Sequence, residues 1–142
     1  MYMGGLMMAS GALASSCQVS ATAVSFGSFI PLTLDFVDSN GTITVICTDV
    51  TSYSIALLAG NGTYSLRSMV SGSHALDYNL YRDPAHQQLW GDGIGDNYLV
   101  TVANPVNDQN YIYTVYGRIS LIGKRGTPVG TYTDTIGIIV NY

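Results

Sequence analysis

Few side chains in this sequence could do chemistry, and those that could stand apart from one another. The two histidines, His74 and His86, each sit beside turn residues. An imidazole works as a base or metal ligand only with a positioned partner, and the sequence suggests none for either. No G-x-S-x-G, H-E-x-x-H or P-loop pattern occurs. All nine acidic residues are aspartates, scattered through turns where capping accounts for most of them. They carry no signal for the paired carboxylates of a glycosidase. The segment Gly91-Asp92-Gly93-Ile94-Gly95-Asp96-Asn97 is the richest in oxygen donors. A calcium site usually gathers several carboxylates, often with a bidentate Glu, and two Asp fall short of that. No helical pattern follows to offer its N-terminus to a phosphate, so the segment reads as a loop between strands. No catalytic, cofactor-binding or metal-ligating residue is expected, no cofactor is implied, and the chain is expected not to be an enzyme. Arg118 and Asp134 could pair across strands, which at an exposed position contributes about 0–1 kcal/mol.

The cysteines are the exception. The first fourteen residues carry no charge and are mostly apolar, and they end in Ala12-Leu13-Ala14 before Ser15. That is the small-residue cleavage pattern of a secretory signal, although no Lys or Arg precedes the apolar run. The expectation is a truncated signal peptide over residues 1–14 and one domain over 15–142. An even cysteine count in an exported chain implies a disulfide, and Cys17 and Cys47 allow a single pairing. Closing a loop of about 30 residues removes roughly 3–4 kcal/mol of unfolded-chain entropy in the simple loop model. Without CxxC spacing or clustered His, the pair does not make a zinc site.

The elements that hold these residues read as strands. Of the 142 residues, 47% are apolar and only 10% charged, with sixteen Gly and eleven Tyr. Abundant Thr, Val, Ile and Tyr with no Glu favour strands over helices. Net charge is −4, and no basic stripe is present to neutralise phosphates, which excludes a nucleic-acid partner. Strands are expected over residues 19–26, 42–47, 52–58, 64–70, 75–82, 98–102, 111–119 and 131–142, with a short one at Leu89-Trp90. Asn40-Gly41 and Asn61-Gly62 are read as hairpin turns, because type I′ turns need positive φ at both central positions. Each is followed by Thr and so matches a glycosylation acceptor, which the turn reading explains without a sugar. Tyr78, Tyr81, Tyr111, Tyr113, Tyr116, Tyr132 and Tyr142 are expected to serve mainly in the core and in cross-strand pairs rather than as an adhesive surface. Regular turn signals between short strands point to an all-β sandwich.

The ordered motifs along this framework resemble the spore coat protein U domain family. Cys17-x-Val19-x-Ala21, Phe26-Gly27 and Gly41-x-Ile43-x-Val45-x-Cys47 carry the resemblance at the start. Leu76-x-Tyr78-x-Leu80-Tyr81-x-Asp83 and Trp90-Gly91-Asp92-Gly93 carry it in the middle. Val115-Tyr116-Gly117-Arg118-Ile119, Pro128-x-Gly130-x-Tyr132-x-Asp134-Thr135 and Val140-x-Tyr142 carry it at the end. That family is similar to the pilin subunits of archaic chaperone–usher fibres. The resemblance implies an incomplete immunoglobulin-like sandwich that lacks its last strand. It implies a periplasmic chaperone, an outer-membrane usher and neighbouring pilin subunits as partners, and a role in surface adhesion or biofilm formation. Export through the periplasm to a cell-surface fimbria follows. Cleavage after Ala14 would leave Ser15 and Ser16 ahead of Cys17, too few to donate a strand, as expected of a tip subunit. The alternative is a self-contained secreted coat or carbohydrate-binding β-sandwich module that needs no donor.

Overall fold

The computed structural model describes residues 14–32 and 34–142. The expected signal segment lies, but for Ala14, outside the described residues. Eight strands form, and no helix occurs among the described residues. They are β1 (Ser16–Ala21), β2 (Phe36–Thr48), β3 (Ser52–Leu57), β4 (Arg67–Ser71), β5 (His74–Tyr81), β6 (Val100–Ala103), β7 (Tyr111–Ser120) and β8 (Ile138–Asn141). One sheet has the order β1-β2-β7-β5-β4 and the other β6-β3-β8, with every pairing antiparallel. The chain is all-β, an immunoglobulin-like sandwich with one open edge.

Period-two alternation puts one face of each strand inside. Ile43 and Val45 of β2, Ile55 and Leu57 of β3, Val115 and Ile119 of β7, and Ile138 and Val140 of β8 are fully buried. Trp90 is buried among them, and its indole N–H donates to Ile55 O at 3.0 Å, so the ring adds apolar area without an orphaned donor. Leu89 and Trp90 form bridges with Tyr81 and Tyr98 rather than a strand of their own.

Asn40-Gly41 is not a hairpin. Both residues lie inside the 13-residue β2, opposite Tyr116 and Val115 of β7, and neither has the positive φ that a type I′ turn requires. Glycine is needed at 41 for a different reason. A Cβ there would stand 2.8 Å from Thr22 O and 2.9 Å from Val24 Cγ2. The chain leaves the β1–β2 ladder at Thr22, whose N–H makes a last bond to Thr42 O, and then crosses the inner face of the larger sheet. Gly117 on β7 gives the same clearance to Val24 and Phe26. The first strand is therefore shorter than expected at its far end. Asn61-Gly62 does mark a turn, with Gly60 at φ +64°, but it joins β3 to β4 across the two sheets. The closing segment alternates as expected over 131–142, yet only Ile138–Asn141 is laddered, with an isolated bridge at Thr133 to Val70.

Candidate functional site

Between the crossing segment and the closing segment lies a cavity of about 650 Å³. One lip is residues 23–31 and the other residues 127–134. The floor is apolar. Leu76, Tyr78 and Leu80 project from β5, Met69 from β4 and Ile119 from β7, and Ile136 closes the side. The alternation of β5 that the sequence shows is what brings its three side chains onto this one surface.

The two lips have little backbone pairing. Past Thr22, residues 23–29 make no backbone–backbone hydrogen bond among the described residues. Ser25 O accepts only the Ser39 hydroxyl, at 2.5 Å. The facing segment is tied through Thr133, which exchanges bonds of 2.9 and 3.0 Å with Val70, and through Gly137 O, which accepts Leu58 N–H at 2.9 Å. Downstream, β8 pairs with β3 on one side and is the edge of its sheet on the other. Open N–H and C=O groups along an apolar trough are a template for another strand.

One polar constellation interrupts the trough. The Tyr78 hydroxyl donates to Asp134 Oδ2 at 2.6 Å, and Asp134 Oδ1 accepts the N–H groups of Thr135 (2.8 Å) and Asn61 (3.1 Å). Burial pushes the Tyr78 hydroxyl well above the ordinary tyrosine range, and its bond to Asp134 adds to that. The rings of Phe26 and Tyr78 pack edge to face with centroids 6.2 Å apart, which braces Tyr78 from the opposite lip. A Cβ at residue 60 would lie 2.4 Å from Asp134 Oδ2, so Gly60 leaves room for the carboxylate.

The other singled-out residues fall elsewhere. Arg118 does not pair with Asp134. It makes a two-point bond to Asp38, 2.7 and 2.8 Å, because Asp38 is its register partner on β2. His74 is exposed at the start of β5. His86 packs between the rings of Tyr81 and Tyr116, with Nε2 3.9 Å from Asp38 Oδ1. In the loop 91–97, the buried Asn97 accepts Gly93 N–H and donates to Ile94 O, so the loop is organised from within. Among the described residues no group of three or more His, Cys, Asp or Glu could hold a metal ion. Cys17 and Cys47 are register partners on β1 and β2, and their sulfurs are bonded. Among the described tyrosines only Tyr98 is exposed, lying under the Arg82 guanidinium at 4.5 Å.

Sequence reasoning missed Arg67, which is completely buried. It donates to Leu57 O, Leu58 O and Trp90 O, and to Asn79 Oδ1 at 2.7 Å. Asn79 in turn donates to Tyr64 O and Ser65 O. Burial lowers the pKa of Arg67. The only available signal was a charged residue within the strand expected over 64–70, in a chain with so few charges.

The comparisons agree with this geometry. No curated protein matches the sequence. The fold is similar to a chain in the crystal structure of the CsuC–CsuE chaperone–tip adhesion subunit pre-assembly complex, from the archaic chaperone-usher Csu pili of Acinetobacter baumannii. The TM-score is 0.62 at 25% identity, and the match covers 90% of this chain and 40% of that one. This chain therefore spans well under half the length of that relative. The Spore Coat Protein U domain matches residues 4–139, nearly the whole sequence, and the chain belongs to that family.

Proposed function

We propose that this chain is a structural subunit of a chaperone–usher type fimbria, exported to the periplasm and assembled by strand complementation at the groove. The observation that carries the reading is the largely apolar trough whose two lips, residues 23–31 and 127–134, have no strand between them among the described residues. The floor side chains Leu76 and Leu80 are buried at the base of the trough, and an inserted strand would extend the apolar packing above them. In the periplasm a chaperone supplies that strand, and in the fibre a neighbouring subunit does so, with an outer-membrane usher handling the exchange. The similarity to a chaperone–tip subunit complex supports the chaperone as partner. Residues 15–142 form the mature domain after removal of residues 1–14. The role is structural rather than catalytic, in a fibre that serves adhesion or biofilm formation at the cell surface.

The test is expression of residues 15–142 alone and together with the cognate periplasmic chaperone. Alone, the chain is expected to aggregate or swap strands, whereas co-expression should yield a soluble complex of the two. A stable, protease-resistant monomer of the chain by itself would overturn the proposal in favour of a self-contained secreted module.

A further inference from the structure

We infer that the groove selects its inserted strand by a hydrogen-bond donor, a hydroxyl or ammonium side chain, placed against Asp134. The inference rests on the strand-accepting reading of the groove. Asp134 is the one charged residue lining a mainly apolar cavity, and among the described residues no Lys, Arg or His lies within ion-pair distance of it. An ionised carboxylate has about four acceptor sites. Three are taken, two on Oδ1 by the Asn61 and Thr135 N–H groups and one on Oδ2 by the Tyr78 hydroxyl. One site on Oδ2 remains for water while the groove is open. A strand laid between the lips expels that water and leaves a charge in contact with apolar side chains, which is costly unless the incoming strand donates to it.

The carboxylate is also held in place, so it cannot swing out to solvent at no cost. Gly60 clears its volume, two backbone N–H groups bind one oxygen, and a buried tyrosine binds the other. An inserted strand thus meets a fixed charged acceptor at one point of a trough whose floor is otherwise apolar. Valine or leucine at that point forfeits the bond, and an acidic residue adds like-charge repulsion. A serine, threonine or lysine supplies the missing donor. Hydrogen bonds to charged groups are the stronger class, so discrimination of about tenfold or more is expected.

The experiment refolds the full chain from denaturant with synthetic strand-length peptides of alternating apolar residues. One inward position at a time is changed to Ser, Lys or Asp, and monomer yield and peptide affinity are read together. At one position, Ser or Lys should bind about tenfold tighter than Val, and Asp should fail. In Asp134→Asn, that preference should collapse and the Asp peptide should recover, while the all-apolar peptide should bind tighter than to wild type because it no longer covers a charge. Tyr78→Phe vacates a second site on Oδ2 and should sharpen the preference, which keeps the inference testable if Asp134→Asn refolds poorly. Binding of every peptide with no position-specific preference, or a preference that survives in Asp134→Asn, overturns the inference alone. Failure of all peptides, the all-apolar one included, overturns the groove reading beneath it.

Discussion

At the scale of single residues, two features set by burial have measurable consequences. Arg67 is a buried cation whose charge is spread over the carbonyls of Leu57, Leu58 and Trp90 and the amide oxygen of Asn79. Methionine at this position fits the space but leaves those acceptors without a donor, and each orphaned buried acceptor costs about 1–3 kcal/mol. Arg67→Met is therefore expected to destabilise by about 3 kcal/mol or more, read as the guanidinium midpoint of the strand-complemented chain. Arg67→Lys should recover only part, since an ammonium cannot span the same fork of acceptors. A midpoint unchanged in Arg67→Met would show that the cage contributes nothing. Asp38 gives the acid counterpart. Its bond to Arg118 holds its carboxyl below the usual aspartate range, against a smaller opposing effect of burial. A lowered folded-state pKa means the contribution is present above the ordinary carboxylate range and is lost as pH falls through the lowered value. Both partners are substantially exposed, so the effect is small. The stability difference between wild type and Asp38→Asn should shrink on acidification, and a difference that widens would contradict the pairing.

At the scale of elements, the crossing of residues 22–26 over the larger sheet builds one lip of the groove, and two glycines permit it. At Gly41 an added Cβ meets the backbone oxygen of Thr22, which cannot move without dragging the segment. At Gly117 it meets the side-chain tips of Val24 and Phe26, which can turn aside. Gly41→Ala is accordingly expected to cut recovery of the chaperone complex more than Gly117→Ala, and equal recovery of the two variants would refute the ordering. The same crossing explains what the sequence hid. Alternation and β-propensity are local, so β3, β5 and β7 were legible nearly to the residue, as was the inward face of residues 132–142. Asn40-Gly41 carries the same letters as a hairpin turn, but its glycine answers to a segment some twenty residues upstream, and no local pattern reports that. By sequence Arg118 could pair with Asp134, and only the β2–β7 register reveals Asp38 as its partner. Of the groove, the floor residues Leu76, Tyr78 and Leu80 were visible as one alternating face. That the sandwich lacks its last strand was implied by the family resemblance and not by any spacing of residues.

At the scale of the whole molecule, the disulfide and the groove sit at opposite ends of the first strand. Cys17 and Cys47 lock β1 to β2 near its beginning, whereas the chain departs for the groove beyond Thr22. The bond therefore anchors the root of the lip and leaves the lip itself without a ladder partner among the described residues. Cys47→Ser should lower export and assembly through stability, by about 3 kcal/mol for a loop of this size, and surface levels equal to wild type would show the bond to be dispensable. The open edge permits a more direct test. The closing segment runs from the groove lip at 127–134 through β8 to Tyr142, with β3 on one side of β8 and, among the described residues, no strand on the other. A strand grafted after Tyr142 through a tight turn would run back antiparallel along that free edge and into the trough. With alternating apolar side chains facing inward, and a serine where Asp134 projects, the graft should turn an aggregating chain into a monomer that unfolds in one cooperative transition. A control graft with the alternation shifted by one residue presents its polar face to the trough and should fail, because a one-residue slip reverses every side chain. If both grafts stabilise equally, or neither does, the trough is not the place of a missing strand.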